Sequence, residues 1–415
     1  MKDEKKAPKL RFKGFTDDWE QCKLGDVCEE VSGNNGNVKG LPILTISAAN
    51  GWMNQKDRFS QVIAGNELKK YTLLKKGHLA YNHGNSKQAK YGTVFVQNLY
   101  DQALVPRVYH SFKMKTENNP YYVEYYFATK KLDRELARLV TSGARMDGLL
   151  NINKKDFFKI KFEVPTPVEQ SLIGTILQKL DQTITLHEEK KRQLERLKSA
   201  LLQKMFAYKS GYPAIRFEGF SDEWEERKLS DISDVTKLAG FEFTKYVRYQ
   251  ETGKIIALRG LNVKNGKLVL DDVKYIDDSD FSKLNRSKLY KNDILLTYVG
   301  TVGELAIVPE DDKYFLAPNV ARIRLQDHVN SIFICQMMNN SIFYNHIILP
   351  LIATSSQPAL SMENVRKFQL LMPDYQEQQK IGSFFKQIDD TIALHQQKIN
   401  NINSVKKSLL QKMFI

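Results

Sequence analysis

The side chains with the most suggestive chemistry lie in polar loops and not in a catalytic pattern. One loop of the first half of the chain contains Asn82, Asn85, Ser86, Lys87, Gln88, Lys90 and Tyr91. Asn and Gln can bind the edge of adenine through two hydrogen bonds, and Lys can bind guanine or a backbone phosphate. Arg145, at the end of the segment that starts at Thr141, is a further candidate. These residue types predict contacts with DNA.

The second half of the chain carries a comparable set of polar residues. They are Arg259, Asn262, Lys264, Tyr298, Thr301, Ser355, Ser356 and Gln357. Any one of these loops could be an ordinary solvated turn, but together they favour a DNA-binding surface. Because the loops of the two halves differ in sequence, we expect the halves to read different base sequences.

Patterns typical of a catalytic or cofactor site are absent from the sequence. There is no phosphate-binding G-x-x-x-x-G-K-[ST], no G-x-G-x-x-G after a strand, and no G-x-S-x-G or H-E-x-x-H. The segment Asn119 to Tyr122 approaches the N-P-P-Tyr/Phe motif of amino-group DNA methyltransferases but lacks its second proline. It predicts a turn that caps a Tyr-rich helix. We therefore expect no catalytic residue, metal ion or cofactor in this chain.

The charge balance favours a polyanionic partner. The chain has 62 Lys and Arg against 48 Asp and Glu, which gives a net charge of +14. Such an excess favours nucleic acid first and an acidic membrane surface second. No stretch approaches 18 apolar residues, and the first residues lack the apolar core of a signal peptide. These features predict a cytoplasmic protein with no membrane span.

An internal repeat organises the whole chain. The sixteen residues that start at Arg11 match the sixteen that start at Arg216 at ten positions. Both contain an opening motif, F-x-G-F-x-[DE]-x-W, at 12–19 and 217–224. Further along, LLQKMF occurs at 201–206 and again at 409–414. The chain is therefore predicted to be two copies of one plan, related by a pseudo-twofold axis.

Each copy closes with a predicted long helix, which begins just after Pro167 or Pro373. Apolar residues alternate at spacings of four and three, the coiled-coil period. The positions predicted to pair the helices or to hold a partner are Ile173, Leu177, Leu180, Ile184, Leu194, Leu201, Ile381, Phe385, Ile388, Ile392, Ile402 and Leu409. The two helices are expected to pair antiparallel within the chain. The alternative is that each helix packs on its own globular part.

The long variable part of each copy is typical of a mixed α/β domain. Short apolar runs at 42–46, 92–96, 255–258 and 294–299 predict strands, and turn residues separate them. Tyr121 to Arg138 and Ser331 to Ile348 are predicted to be helical. The fold class expected is α+β, with two mixed α/β domains in tandem and two long helices that pair as an antiparallel coiled coil.

The chain resembles the specificity subunits of Type I restriction-modification enzymes. The resemblance rests on the opening motif, on a closing motif P-x-x-x-E-Q at 165–170 and 373–378, and on the paired LLQKMF helix ends. It extends over essentially the whole chain. It implies target-recognition domains at 1–163 (with the opening motif) and 210–371, and conserved coiled-coil helices at 164–209 and 372–415.

The resemblance also implies the function and the partners. The family reads the two halves of a bipartite, asymmetric site on double-stranded DNA. Its coiled coil docks two modification (methyltransferase) subunits, and restriction/translocase subunits join through them. S-adenosylmethionine, ATP and Mg are then expected in the partner subunits. Two alternatives remain: a DNA methyltransferase with degenerate motifs, and a structural coiled-coil protein whose charge is incidental.

Overall fold

The computed structural model describes residues 7–33, 38, 40–59, 65–84, 86–115, 117–141, 149–208, 210–353 and 356–415. The chain divides into two units. The first unit is Met1–Glu188 together with Gln397–Ile415, and the second is Glu189–Gln396. Each unit therefore contains the beginning of one long helix and the end of the other. The four-part division at residues 163, 209 and 371 stays a prediction.

Short strands and short helices alternate ahead of each long helix. In the first half of the chain the strands are β1 (Glu20–Lys23), β2 (Cys28–Glu30), β3 (Leu44–Ser47), β4 (Gly51–Asn54), β5 (Thr72–Lys75), β6 (Leu79–Asn82), β7 (Thr93–Val96), β8 (Gln102–Val105), β9 (His110–Met114) and β10 (Lys161–Val164). The helices are α1 (Leu24–Val27), α2 (Gln55–Phe59), α3 (Pro120–Ala128), α4 (Asp133–Leu139), α5 (Lys154–Phe157) and α6 (Pro167–Met205).

The second half repeats this alternation. Its strands are β11 (Glu225–Lys228), β12 (Ser233–Lys237), β13 (Ile256–Leu258), β14 (Val263–Lys264), β15 (Lys267–Leu268), β16 (Lys274–Tyr275), β17 (Ile294–Thr297), β18 (Leu305–Ile307), β19 (Tyr314–Leu316), β20 (Val320–Leu325) and β21 (Gln369–Met372). Its helices are α7 (Leu229–Ile232), α8 (Gly240–Tyr246), α9 (Ser331–Met338), α10 (Ser341–Phe343), α11 (Met362–Arg366) and α12 (Tyr375–Lys412).

A four-stranded antiparallel sheet forms the centre of each unit. Its strand order is β2-β9-β6-β7 in the first unit and β12-β20-β17-β18 in the second. The two orders are equivalent, since each begins with the first strand after the short helix that follows the opening motif. Strand β17 is buried at all four positions, which explains why its sequence is a continuous apolar run without alternation. The strands predicted from the four apolar runs are all present; three are shorter than their runs, and β3 is displaced to Leu44–Ser47.

The two predicted helices of the variable parts are each interrupted. The first ends at Ala128 and resumes at Asp133, because Lys130 adopts a left-handed φ of 62°. The second ends at Met338, and Asn340 caps a new turn by accepting a hydrogen bond from the backbone of Ile342. Both segments are therefore helical as predicted, each with one interruption. A single residue in a left-handed conformation is enough to end a helix.

The long helices α6 and α12 have 39 and 38 residues, which corresponds to about 58 Å for α6 at ~1.5 Å per residue. In the first unit, Lys406 of α12 binds Asp181 of α6, and the preceding apolar residues of α6 share a core with Leu409 and Met413. The chain directions are therefore antiparallel.

The second unit contains the equivalent pair from the other ends of the two helices. There the Nζ of Lys198 lies 2.7 and 2.9 Å from the two carboxylate oxygens of Asp389, and Phe206 packs against Phe385 with ring centroids 5.8 Å apart. This arrangement is again antiparallel.

All twelve predicted seam residues are buried or half-buried. In the first unit, Ile173 and Leu177 of α6 belong to the same apolar cluster as Trp19 and Phe112 of the globular part. In the second unit, Ile381 and Phe385 of α12 join the cluster around Trp224. The seam therefore packs on the other helix and on its own globular part at once, so the antiparallel pairing is confirmed, and the alternative in which each helix packs only on its own globular part is wrong.

The repeated helix ends complete the globular cores. Met413 and Phe414 are buried in the core of the first unit, where the Phe414 ring lies 5.4 Å from Tyr122 and 5.7 Å from Tyr126. In the second unit Phe206 has the equivalent place and packs against Phe333 at 5.2 Å. Each core thus receives its last aromatic residue from the helix that closes the other copy.

An arginine next to the opening motif binds a buried glutamate of the closing motif in each unit. Arg11 donates through Nε and Nη2 to the two carboxylate oxygens of Glu169, both at 2.8 Å. Arg216 binds Glu377 in the same way, again at 2.8 Å. Both glutamates are fully buried. We call these two pairs the clamps, because each joins the start of a variable part to the helix that follows it.

Candidate nucleic-acid interface

The polar loops of the first unit lie at one end of its four-stranded sheet. Strand β6 ends at Asn82 and β9 begins at His110, and these ends are neighbours because the two strands are antiparallel. The other end of β9, at Met114, leads to Asn119, whose backbone N–H donates to Gln170 of the closing motif at 3.1 Å. The loops and the closing motif are therefore at opposite ends of the sheet.

The second unit has the same polarity. Strand β17 ends at Thr297, directly opposite Val320 at the start of β20. Beyond the far end of β20, the backbone N–H of Asn330 donates to Gln378 of the closing motif at 3.0 Å. In both units, the loop after β6 or β17 therefore lies at the end of the sheet that is away from the closing motif. The first turn of a long helix lies at the other end.

The loop between β6 and β7 is held by internal hydrogen bonds. The side chain of Asn82 donates to the carbonyl of Ile46 and accepts from the backbone of Gly84, both at 3.1 Å. Gly92 closes the loop at a φ of 83°, and a Cβ there would lie 2.6 Å from the carbonyl oxygen of Asn82. The Asn82 side chain therefore helps to hold the loop together, with one donor and one acceptor position used in this way.

The tip of this loop presents its side chains to solvent. A tight turn, in which the backbone N–H of Ser86 donates to Ala89 and that of Ala89 to the Ser86 hydroxyl, exposes Lys87 and Gln88. Lys90 is also exposed, and its Nζ lies 5.5 Å from the centroid of the Tyr91 ring. These predicted residues are accessible to a ligand. Asn85 and Arg145 lie outside the described residues.

His83 ties the base of this loop to two neighbouring segments. Its Nδ1 lies 2.5 Å from the carbonyl oxygen of Leu150, and its Nε2 lies 2.8 Å from that of Val108. Leu150 returns the contact by donating its backbone N–H to the carbonyl of His83 at 2.8 Å. Leu149 and Leu150 thus lie beside the start of the β6–β7 loop.

The second unit repeats this arrangement around the loop between β17 and β18. Tyr298 accepts at its carbonyl from the backbone of Leu360 at 2.8 Å, and Gly300 donates to the carbonyl of Pro358 at 3.0 Å. The segment that contains Ser356 and Gln357, both exposed, is therefore attached to this loop. Ser355 lies outside the described residues.

Three predicted residues of the second unit line one cleft of about 560 Å³. They are Arg259, Lys264 and Thr301, of which the last two are exposed. The Nη2 of Arg259 donates to the carbonyl of Asp272 at 3.0 Å and to its carboxylate at 2.8 Å, so this guanidinium already has an acidic partner. Exposed cations beside hydroxyl and amide groups can bind phosphate and base edges.

One residue of the second unit has another role than the one predicted, and a second is half-buried. Asn262 is fully buried, and its amide nitrogen donates to the carbonyls of Val269 and Asp272 at 2.9 and 2.7 Å. A base-reading role for Asn262 was therefore wrong, because all of its side chain is used to fold the loop. Tyr298 is half-buried, with Lys237 5.1 Å from its ring centroid, and burial raises the pKa of its hydroxyl.

Sequence reasoning missed the two charged pairs between the long helices, Lys406 with Asp181 and Lys198 with Asp389. Asp181 and Asp389 occupy equivalent positions in the repeated segments at 180–187 and 388–395. Each also accepts from its own globular part, through the Tyr125 hydroxyl at 2.7 Å and the Gln336 amide at 2.7 Å. The repetition of an aspartate beside the apolar seam in both helices was the sequence feature that could have indicated these pairs.

The predicted cap of the Tyr-rich helix α3 is confirmed, since Asn119 accepts a hydrogen bond from the backbone N–H of Tyr121 at 2.9 Å.

Burial of His110 beneath the first-unit loops makes the stability of this unit depend on pH. Its ring is stacked 5.0 Å from His83, and its Nε2 lies 3.1 Å from the carbonyl oxygen of Ile152. Burial, reinforced by the neighbouring His83, lowers the pKa of His110 to about 4. The folded state therefore favours the neutral ring. The corresponding stability is present above about pH 6.5 and is lost as the pH falls towards 4.

We expect His110 to contribute on the order of 3 kcal/mol to this loss, at ~1.4 kcal/mol per unit of pKa. Hydrogen exchange of the β6 and β9 amides in the full chain, followed from pH 7 to pH 4.5, measures it. His110→Gln keeps a donor for Ile152 but does not titrate, so its profile should be flatter than that of the wild type. The exposed His346 provides the control, because His346→Gln should leave the profile unchanged. Parallel profiles for all three proteins would contradict the assignment.

Among the described residues, no helix is long and apolar enough to cross a bilayer. Nor does this part of the chain contain a group of three His, Cys, Asp or Glu side chains arranged to hold a metal ion.

Comparison with known proteins identifies similar sequences and structures. The family described as Type I restriction modification DNA specificity domain matches residues 16–196 and 221–404. The chain is 24% identical over 297 residues to the Type I restriction enzyme MjaVIII specificity subunit of Methanocaldococcus jannaschii, covering 69% of this chain and 68% of that protein. It is 24% identical over 305 residues to the EcoKI specificity subunit of Escherichia coli K12, covering 70% and 64%.

One solved structure matches over nearly the whole length. It is the crystal structure of the Type I restriction-modification system S subunit from M. genitalium, which covers 99% of both chains with a TM-score of 0.62 and 13% identity. At this identity the match concerns the fold alone. It confirms the predicted fold class of two mixed α/β domains in tandem with two long helices.

Proposed function

The chain belongs to the family of Type I restriction modification DNA specificity domains, and we propose that it reads a bipartite, asymmetric DNA site for a restriction-modification complex. The observation that carries this proposal is the polarity of the two units. Each has solvent-exposed polar loops at one end of its central sheet, and the closing motif of a long helix at the other. The polar loops at one end would bind DNA, and the long helices would bind protein partners.

The two units are proposed to read different half-sites. Their scaffolds are equivalent, whereas their exposed side chains differ. We assign base or phosphate contacts to Ser86, Lys87, Gln88, Lys90 and Tyr91 in the first unit, and to Arg259, Lys264, Tyr298, Thr301, Ser356 and Gln357 in the second. Arg145, Asn85 and Ser355 belong to the same segments by sequence. Lysines would supply affinity through phosphates, and the amides and Arg would supply discrimination between bases.

The partners are proposed to be two modification subunits that bind along the helices, with restriction/translocase subunits joining through them. Exposed apolar side chains on α6 and α12 provide surface for such partners to bury; examples are Val168, Leu172 and Leu186 on α6, and Leu394 and Val405 on α12. S-adenosylmethionine, ATP and Mg would belong to those partners. The chain itself would recognise DNA without catalysing a reaction.

The proposal is tested by mapping methylated adenines in the cells that make this protein. Deleting the chain should remove methylation from one bipartite motif, and a plasmid copy should restore it. If no motif loses methylation on deletion while the modification subunit is still produced, the proposed function is wrong.

Matched glutamines in the two units test whether each unit reads its own half-site. Gln88→Ala should relax or weaken recognition of one half-site only, and Gln357→Ala should affect only the other. A lost direct base contact costs about 1–3 kcal/mol, so the effect should be about 5- to 150-fold in relative binding to substituted sites. Competition binding with duplexes altered in one half-site measures it. Equal relaxation of both half-sites by either variant would contradict the two-reader arrangement.

A further inference from the structure

A short turn with the same sequence pattern lies at the loop end of each unit. It is Pro106-Arg107-Val108 in the first unit and Pro318-Asn319-Val320 in the second. Each turn leads into the strand that pairs with two others at the centre of the four-stranded sheet, β9 or β20. Each also follows the strand, β8 or β19, that makes a parallel contact with the first predicted apolar run of its unit, at 42–46 or 255–258. The middle residue differs between the units.

We propose that Arg107 and Asn319 are base-reading residues, one for each half-site. This inference rests on the proposed function and adds two specificity-determining positions to it. Both lie outside the polar loops from which the other candidates were chosen. Arg pairs with the O6 and N7 of guanine, and Asn with the N6 and N7 of adenine, in each case through two hydrogen bonds. The two positions would therefore read different bases, each from the turn that leads into β9 or β20.

In the second unit, Asn319 is part of the cleft that already holds the predicted residues. It lines the cleft together with Lys264 and Thr301. Its backbone carbonyl accepts from the N–H of Tyr298 at 3.0 Å, which fixes the turn against the β17–β18 loop. Its side chain is exposed, and the described part of the chain supplies it with no hydrogen-bond partner.

In the first unit, Arg107 lies in the turn between β8 and β9, one residue earlier in the sheet register than Asn319 does in the second unit. The next residue, Val108, has its carbonyl oxygen 2.8 Å from Nε2 of His83, so the turn is held against the base of the β6–β7 loop. Arg107 is exposed, and no acidic partner for its guanidinium occurs among the described residues. This contrasts with Arg259, whose guanidinium is bound to Asp272. An arginine without such a partner keeps all its donors for a ligand.

Asn319 has a second possible reason to be an asparagine. Its φ is 72°, in the left-handed region that Asn tolerates better than most residues. A purely conformational role would require only a residue that accepts this backbone. Glycine accepts it and carries no amide, so Asn319→Gly separates the conformational role from base reading.

Asn292 provides a matched control for this substitution. It also has a left-handed φ, of 71°, and it is exposed. Asn292 lies just before the start of β17. Asn319 is hydrogen-bonded to Tyr298, just after the end of β17, so the two asparagines are at opposite ends of this strand. Asn292→Gly makes the same chemical change away from the proposed interface.

The experiment compares the methylated motif and the binding of substituted duplexes for the assembled complex. Asn319→Gly should make one base position of one half-site degenerate, with a 5- to 150-fold loss of discrimination there. Asn292→Gly should leave the motif unchanged. Arg107→Ala should make one position of the other half-site degenerate, while Lys76→Ala, at the opposite end of β6, should not.

An unchanged methylated motif for both Asn319→Gly and Arg107→Ala would overturn this inference. The proposed function would still hold in that case, provided that deleting the wild-type chain removes methylation from its motif. Degeneracy spread over both half-sites would also overturn the inference. If Asn319→Gly removed methylation altogether, Asn319→Asp, which keeps the size of the side chain and replaces the donating NH2 by an acceptor, should shift the preferred base at one position. Restoration of the unaltered motif by Asn319→Asp would count against base reading.

Discussion

Replacing Phe414 with alanine is expected to destabilise the first unit by about 3–5 kcal/mol, the usual cost of removing a buried phenylalanine. Phe414 is 2% exposed and packs between Tyr122 and Tyr126 of α3. The neighbouring aromatic rings cannot easily move into the cavity that the Phe414 side chain leaves, because hydrogen bonds hold them in place. The Tyr122 hydroxyl donates to the carbonyl of Glu163 at 2.7 Å, and the Tyr126 hydroxyl to its carboxylate at 2.7 Å.

Hydrogen exchange on the full chain gives the measurement, since it reports each unit separately. Amides of β6 and β9 should exchange faster in Phe414→Ala, and those of β17 and β20 should not change. Phe206→Ala is the matched control and should produce the reverse, because Phe206 fills the second core against Trp224 and Phe333. If Phe414→Ala accelerated exchange equally in both units, the assignment of the helix end to the first core would be wrong.

Glu377→Ala is expected to have an effect of similar size on the second unit. The carboxylate of Glu377 is fully buried, accepts two hydrogen bonds from Arg216, and lies 3.2 Å from the Nε1 of Trp224, which donates to it. Its removal leaves the Arg216 guanidinium, 14% exposed, without its partner. Breaking one side of such a pair costs about 3–5 kcal/mol.

Urea unfolding followed by hydrogen exchange in β12 and β20 measures this loss. Glu363→Ala is the matched control, because its ion pair with Lys367 is exposed to solvent and should contribute little to stability. Replacing Arg216 and Glu377 together by methionine should recover much of the stability, since no charge then remains buried. A double variant as unstable as Glu377→Ala would show that the clamp does not act through the charge pair.

Much of the architecture could be predicted because the sequence contains an internal repeat. The opening motifs, the closing motifs and the LLQKMF ends each occur at equivalent positions, so one copy supports the interpretation of the other. Apolar periodicity then located the two long helices, and the short apolar runs located the strands that become β3, β7, β13 and β17. These are local properties, in which a residue's type and its neighbours in sequence decide the structure.

The remaining features depend on contacts between distant residues. Asn262 resembles a loop residue in sequence, yet it is buried, because the carbonyls of Val269 and Asp272 converge on its amide. Lys130 is a good helix former that nevertheless ends a helix. Of the candidate site, the exposed residues at the tips of the loops follow from composition. The Pro-x-Val turns do not, because only the folded sheet brings Arg107 and Asn319 beside those loops.

The exchange of helix ends between the cores has a consequence for biosynthesis. The groove around Tyr122 in the first unit is filled by residues that leave the ribosome about 200 residues after the rest of that unit. At roughly 5–20 residues per second, this delay is about 10–40 s. During that interval the half-finished domain exposes aromatic side chains that it cannot cover by itself. Such a chain depends on chaperones or on fast completion, and a premature stop in the second copy would damage the first domain as well.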